Sequence, residues 1–416
     1  MIHPNGAFRA ALVLAANSAG VLATGFNLPS QDAFASARGE AFVATADNPS
    51  AIYYNPAGIT QLPGHNFRGG VYGLNLNNTF KSPAGGSFEN QRQWHAVPQF
   101  FYTYTPDKKP VTFGLGVYSP FGLSMKWPAN TGFRTVATES SLTYLTFNPV
   151  VAWQALPTLS VAAGLTVNYA NLDVRQGLLW PTQNADEFRV KGSAWDVGYN
   201  LGVHWKPVPK LAFGVTFRSP TTMDLSGHTE VENTQAYGPV PAFPRQRFEA
   251  DARFPFPLRV TCGVSYRPTP DWNLEFNADY SDWDRVGVIV IRQSAAFPPL
   301  LPKDVPLTLN WQSSWYYEFG GTRYFKNGWQ VSAGYIFNEN SVPNANYAPT
   351  VGDLDRHFIS IGTGYRRDRL SVDVAYQLGF GDRLVSGSQP SAGGQTADGR
   401  YEFLSHALVL SFGWHF

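Results

Sequence analysis

The stretch Trp272-Asn273-Leu274-Glu275-Phe276-Asn277-Ala278-Asp279-Tyr280-Ser281 puts Trp272, Leu274, Phe276, Ala278 and Tyr280 on one side of an extended chain. It puts Asn273, Glu275, Asn277, Asp279 and Ser281 on the other. A period of two is the signature of a strand whose two faces meet different surroundings. The same dyad recurs at Leu159, Val161, Ala163, Leu165, Val167 and Tyr169, and at Trp195, Val197, Tyr199, Leu201, Val203 and Trp205. Aromatic rings sit toward the ends of these apolar faces, where amphipathic rings favour a membrane interface. Small residues on the opposite faces leave room inside. A soluble β-sandwich alternates too, so the dyad alone leaves two all-β architectures open.

The connections separate them. Short ones, Pro106–Lys109, Leu156–Thr158, Lys206–Lys210, Arg267–Asp271, Lys326–Gly328 and Arg366–Asp368, alternate with long polar ones. The long ones are read near Lys81–Arg92, Leu123–Glu139, Leu172–Lys191, Pro220–Arg247, Asp284–Pro306, Asn338–Asp355 and Gly379–Arg400. Short turns on one side and long loops on the other are the asymmetry of an outer-membrane barrel. The count between connections is about fourteen strands from near His65, an even number as bacterial barrels require. The reading is therefore all-β: a transmembrane antiparallel barrel over residues 64–416.

Composition agrees with this reading. Among 416 residues, 15% are aromatic and only 15% charged, which suits a surface partly facing lipid. No apolar run approaches the roughly 20 residues of a membrane helix. With Lys+Arg 31 against Asp+Glu 30, no attraction to nucleic acid is encoded. Arg9, the apolar run Ala10–Ala16 and the small-residue ending Val21-Leu22-Ala23 read as a secretory leader over residues 1–23. The last strand aligns Leu408, Leu410, Phe412, Trp414 and Phe416 on one face, and a terminal Phe416 resembles the signal by which outer-membrane barrels are recognised for insertion.

Residues 24–63 do not alternate, and their Pro and Gly break regular structure. Yet they carry many apolar side chains, so they should pack, and a lumen of this size offers the space. Within them the run DNPSAIYYNPAGIT, from Asp47 to Thr60, resembles the Asn-Pro-Ala hatch of the long-chain fatty acid transporter family, which includes aromatic-hydrocarbon channels. Asn55, Pro56 and Ala57 match the motif one for one. The resemblance continues in Ser119–Leu123, in Tyr280-Ser281-Asp282-Trp283 and in Ser341–Tyr365. It implies a fourteen-strand barrel with an N-terminal hatch in the lumen, capture of a hydrophobic ligand, and lateral exit where a strand is irregular. It also implies a setting in the outer membrane among lipid and lipopolysaccharide, insertion by the barrel assembly machinery, and a monomer.

Gly114, Gly116, Pro120 and Gly122 mark the third strand as the place for that irregularity, because Pro lacks a ladder donor and Gly weakens strands. An equally simple account is that Pro120 ends the strand. Phe26, Leu28, Phe34, Phe42, Ile52, Tyr53 and Phe121 are the candidates for the substrate channel. A fatty acid would require a cation for its carboxylate, with Arg218 and Arg259 as lumen-side candidates, whereas an aromatic hydrocarbon requires none. Fatty acids are favoured on the family's centre of gravity alone. A general porin is the competing channel, and rings of charge that would favour it are not evident.

An enzyme finds no Gly-x-Ser-x-Gly elbow, zinc-protease helix or phosphate loop, which leaves only a phospholipase-like barrel without a supporting motif. Asp282 with Asp284, and Asp353 with Asp355, do not continue into a calcium loop. Cys262 shares a register with Leu258, Val260 and Val264 on the presumed lipid face, and His204 and His415 fall on the lumen side. No metal or cofactor is implied.

Overall fold

Fourteen antiparallel strands form one closed wall in the computed structural model, which describes residues 27–28, 30–92 and 94–416. The expected leader and Phe26 lie outside those residues. The strands are β1 (Gly64–Lys81), β2 (Trp94–Thr105), β3 (Val111–Tyr118 with Gly122–Lys126), β4 (Glu139–Leu156) and β5 (Leu159–Gln176). Next come β6 (Asp186–Val208), β7 (Leu211–Arg218 with Thr221–Asn233), β8 (Phe243–Phe256 with Arg259–Tyr266) and β9 (Trp272–Ser281 with Val288–Gln293). The last are β10 (Asp304–Thr308 with Ser314–Tyr324), β11 (Trp329–Asn338), β12 (Arg356–Arg367), β13 (Leu370–Val385) and β14 (Gly399–His415). A short strand, Ser87–Glu89, pairs with the outer end of β1. The wall closes where β1 pairs with β14 from Asn66↔His415 to Lys81↔Arg400, so no sheet edge is left open at the seam.

The polarity of the wall is inverted relative to a soluble protein. Trp195, Val197, Tyr199, Leu201, Val203 and Trp205 are exposed along β6, while Asn200 and His204 between them are buried. On β9, Trp272 and Leu274 are exposed and Asn273, Glu275 and Asn277 are buried. Such a surface is stable only against lipid. Ring pairs mark both edges of that belt: Tyr169–Trp195, Tyr199–Phe217 and Tyr280–Trp315 on the outer side, Trp205–Phe213 and Trp329–Tyr365 on the inner. From Trp195 to Trp205 the chain rises about 33 Å, roughly 25 Å in height at the usual strand tilt, which matches a hydrocarbon layer. Cys262 faces outward, as its register indicated.

The strands run farther than expected. Much of the stretches Leu172–Lys191, Pro220–Arg247 and Gly379–Arg400, read as loops, is ladder: β5 continues to Gln176, β6 begins at Asp186, and β7 reaches Asn233. Above the lipid the outward face meets water, so polar residues no longer argue against a strand. There they pair across the ladder, as Asp173 with Arg189 at 2.5 Å, Arg175 with Glu187 at 3.8 Å and Arg189 with Glu230 at 3.4 Å.

The chain before β1 lies against the inward face. It forms α1 (Ala33–Ala37), α2 (Ala51–Tyr54) and a 3₁₀ turn, Pro56–Gln61. Asp32 caps α1 by accepting from Phe34 N and Ala35 N, and it also pairs with Arg68 of β1. Arg68 in turn holds Asp373 of β13 at 2.8 Å. Gly320 on β10 and Gly334 on β11 are required here, because a Cβ at either would strike the Arg38–Gly39 backbone. These contacts are why inward-facing glycines interrupt otherwise sound strands.

Candidate functional site

The N-terminal segment is tied to the wall by polar contacts that its own short helices cannot supply. Asn55 is fully buried, and its Nδ2 donates to Val43 O and to Val203 O of β6, both at 2.9 Å. Its Oδ1 accepts from Ala57 N at 3.2 Å, so it caps the turn that Pro56 begins. One asparagine thus fixes two parts of the segment to one strand, a task that needs both a donor and an acceptor on a short side chain. The triplet Asn55, Pro56 and Ala57 stands against Gly202, where a Cβ would meet Asn55 and Pro56. His204 adds a contact to Ala44 O at 2.8 Å.

Glu40 sits fully inside the segment in left-handed backbone, φ 61°. Burial pushes its carboxyl up to about 7, against the opposing pull of hydrogen bonds from Tyr54 and Ser30. Tyr54 Oη donates at 2.5 Å and Ser30 Oγ at 2.8 Å. Of the channel candidates, Phe34, Phe42, Ile52 and Tyr53 pack together with Phe101, Tyr118 and Val150 of the wall. Leu28 and Phe121 belong instead to a larger apolar cluster in the outer half of the lumen.

That outer cluster surrounds a cavity of about 230 Å³. Its lining is mostly apolar: Leu172 from β5, Phe188 and Val190 from β6, Leu225 from β7, Ala252 and Phe254 from β8, Ile289 and Ile291 from β9, and Trp311 beside β10, with Ser140, Gln176 and Thr350 as polar members. Lys191 and Asp251 are the charged residues among those described that line it, and both fall on the outward register, Lys191 with Arg189 and Trp195 and Asp251 with Glu249 and Arg253. Arg218 and Arg259 are not among them. Arg259 pairs with Asp279 at 2.5 Å and donates to Asn27 at 2.8 Å, and Arg218 donates to Tyr53 O while lying 4.2 Å from the Tyr53 ring centre. None of the six described channel candidates, Leu28, Phe34, Phe42, Ile52, Tyr53 and Phe121, lines this cavity. A signal for its wall was present in the sequence: Phe248, Ala250, Ala252, Phe254 and Phe256 alternate with Arg247, Glu249, Asp251 and Arg253, a dyad with the charge outside.

The third strand is irregular where Pro120 stands. Tyr118 pairs with Thr146 and Gly122 with Thr143, so four steps along β3 oppose three along β4. One extra residue therefore bulges out of the ladder and flips the faces beyond it. On the other side, β2 pairs with β3 only from Phe100↔Val117 to Tyr104↔Phe113, leaving Trp94–Gln99 of β2 paired with β1 alone. A bond from Gln91 N to Lys126 O, 2.8 Å, bounds the resulting window above. The segment reaches this bulge: Leu28 N donates to Pro120 O at 2.8 Å, and Gln31 Nε2 to Ser119 O at 2.8 Å. Gly114 and Gly116 lie just below, where a Cβ would press on Ile52. Phe416 donates its backbone N–H to His65 O at 3.0 Å at the seam.

A closed barrel with a lipid-facing belt, a filled lumen and an apolar cavity defines an integral outer-membrane transport protein for hydrophobic compounds, not an enzyme. The chain belongs to the family described as outer membrane protein transport protein (OMPP1/FadL/TodX), whose model matches residues 13–416. It is 22% identical over 401 residues to the long-chain fatty acid transport protein of Salmonella typhi, covering 90% of this chain and 88% of that one. The corresponding protein of Escherichia coli K12 is 21% identical over 412 residues, with 90% and 89% covered. The fold is shared with a Pseudomonas aeruginosa FadL homologue, at TM-score 0.83, 19% identity and coverage of 94% and 99%. It is also shared with the Pseudomonas putida toluene transporter TodX, at TM-score 0.75, 17% identity and the same coverage.

Proposed function

We propose that the protein carries a hydrophobic compound from the outer-half cavity to the window at β3 and releases it sideways into the membrane, with residues 24–63 acting as a hatch that closes the lumen below. The observation that carries this reading is an apolar cavity and a wall bulge that border one apolar cluster, to which Phe121 at the bulge and Leu225, Phe254 and Trp311 at the cavity all belong. Apolar lining replaces the polar lipopolysaccharide barrier with a surface on which such a compound is stable. An uncharged compound such as an aromatic hydrocarbon fits the lining best, because both arginines named as carboxylate partners are held elsewhere. A long-chain fatty acid is the second reading, supported by what the curated relatives are named for.

Binding of radiolabelled toluene and of radiolabelled oleate to the purified protein separates the two. Saturable toluene binding that excess oleate does not displace is the expected outcome. Saturable oleate binding with none of toluene would select the fatty acid instead, and binding of neither would overturn the hydrophobic-channel reading.

A further inference from the structure

We infer that Phe256 is the gate between the cavity and the window, an assignment that rests on the lateral-exit reading above. A second apolar void of about 10 Å³ adjoins the cavity and shares Leu172, Leu225 and Phe254 with it; Phe256 and Leu142 close its far side. The Phe256 ring lies 4.9 Å from that of Phe121, the residue that follows Pro120 on the bulge, and 4.9 Å from that of Tyr144 on β4. The path from cavity to window therefore runs through one ring. Behind it, Trp283 is fully buried and stands 6.0 Å from Phe121 and 5.1 Å from Trp311.

The wall beside Phe256 is irregular on its β9 side. Asp251 pairs with Arg292 and Arg259 with Ser281, so eight steps along β8 oppose eleven along β9. The surplus on β9 turns inward at Asp282–Gly287 and delivers Trp283 to the lumen. Phe256 thus ends its half of β8 directly before Pro257; it pairs with Thr221 of β7, while on its other side the ladder to β9 is interrupted, so the strand holds it from one side only. Rotation of the ring joins the void to the Phe121 side, and its return separates them. This divides storage from release: the cavity sets which compound is held, and the ring sets how fast it leaves.

The test compares equilibrium binding of radiolabelled toluene and oleate with their initial uptake by cells, in Phe256→Ala, Phe256→Trp and a variant lacking Pro120. Phe256→Ala is expected to speed uptake about threefold or more, and Phe256→Trp to slow it by a similar factor, each at near wild-type affinity, because a gate changes rate and leaves the resting site in place. Should Phe256→Ala fail to show the folded mobility on an unboiled gel, Phe256→Leu serves, with a smaller change in the same direction. If removal of Pro120 blocks uptake while both Phe256 variants transport at the wild-type rate, the gate is overturned and the exit route stands. If the variant lacking Pro120 transports normally, the exit reading fails and the gate falls with it.

Discussion

Single residues in the N-terminal segment carry more than their size suggests, because each is buried and holds two partners. Asn55 was marked from its triplet, yet its bonds to Val43 O and Val203 O could not be read from sequence, since strand β6 lies far along the chain. Truncation to Ala would leave the buried Val43 carbonyl without this donor and remove the tie to Val203 O, which the ladder to β7 also serves, at a cost of about 1 to 3 kcal/mol in segment docking. Asn55→Ala is expected to lower uptake several-fold while the unboiled gel mobility stays folded; normal uptake would remove the anchoring role. Glu40 gives a pH dependence with a definite sign. Burial raises its folded-state value from 4.5 to about 7, so between these limits the folded protein holds the proton more tightly than the unfolded chain does. Its contribution is therefore fully present below about pH 4.5 and is lost as pH rises through about 7, at most on the order of 3 kcal/mol. The temperature at which the folded gel band disappears should fall from pH 5 to pH 8 in the wild type, and Glu40→Gln should flatten that fall. Equal slopes would show that another group sets it.

At the level of the strand, the sequence was most legible where one face meets lipid and least where both faces meet water or ligand. The dyad of Trp272–Ser281 and the short turns sufficed to number fourteen strands. The outer halves of β7 and β9 and the first residues of β8 read as loops in the sequence, because their outward residues are polar or charged and only the inward ones, such as Leu225 and Ile289, are apolar. That is the same alternation with its sign reversed, and the cavity was hidden in it. Gly114, Gly116, Pro120 and Gly122 single out β3 in the sequence, while the form of its irregularity, one extra residue opposite β4 between Tyr118 and Gly122, is a matter of register that only pairing reveals. This makes a sharp variant available. Removing Pro120 alone restores equal counts and lets the ladder toward β2 run on, so the window should close and uptake drop about tenfold or more, with the folded gel mobility unchanged. Uptake at the wild-type rate would place the exit elsewhere.

Across the whole molecule, the lumen and the segment inside it are complementary in charge. Arg68 of the wall meets Asp32, Glu275 of the wall meets Arg38 at 3.5 Å, and glycines on β10 and β11 receive the backbone around Gly39. A fourteen-strand barrel without such a filling would hold an aqueous channel. The expected outcome in a planar bilayer is accordingly a small or absent steady current for the wild-type protein. A variant lacking residues 27–62 leaves Arg68, Glu275 and Asp373 lining open water, where they are hydrated and no longer need partners, so the wall itself should still close through β1 and β14. Its unboiled gel mobility should remain distinct from the boiled form, since a barrel without a free edge has no place from which to unravel. Its conductance should rise on the order of tenfold or more, the behaviour of an open polar pore. A wild-type protein that conducts as strongly as the deletion would mean that the segment does not obstruct the lumen, and would return the general porin as the better account.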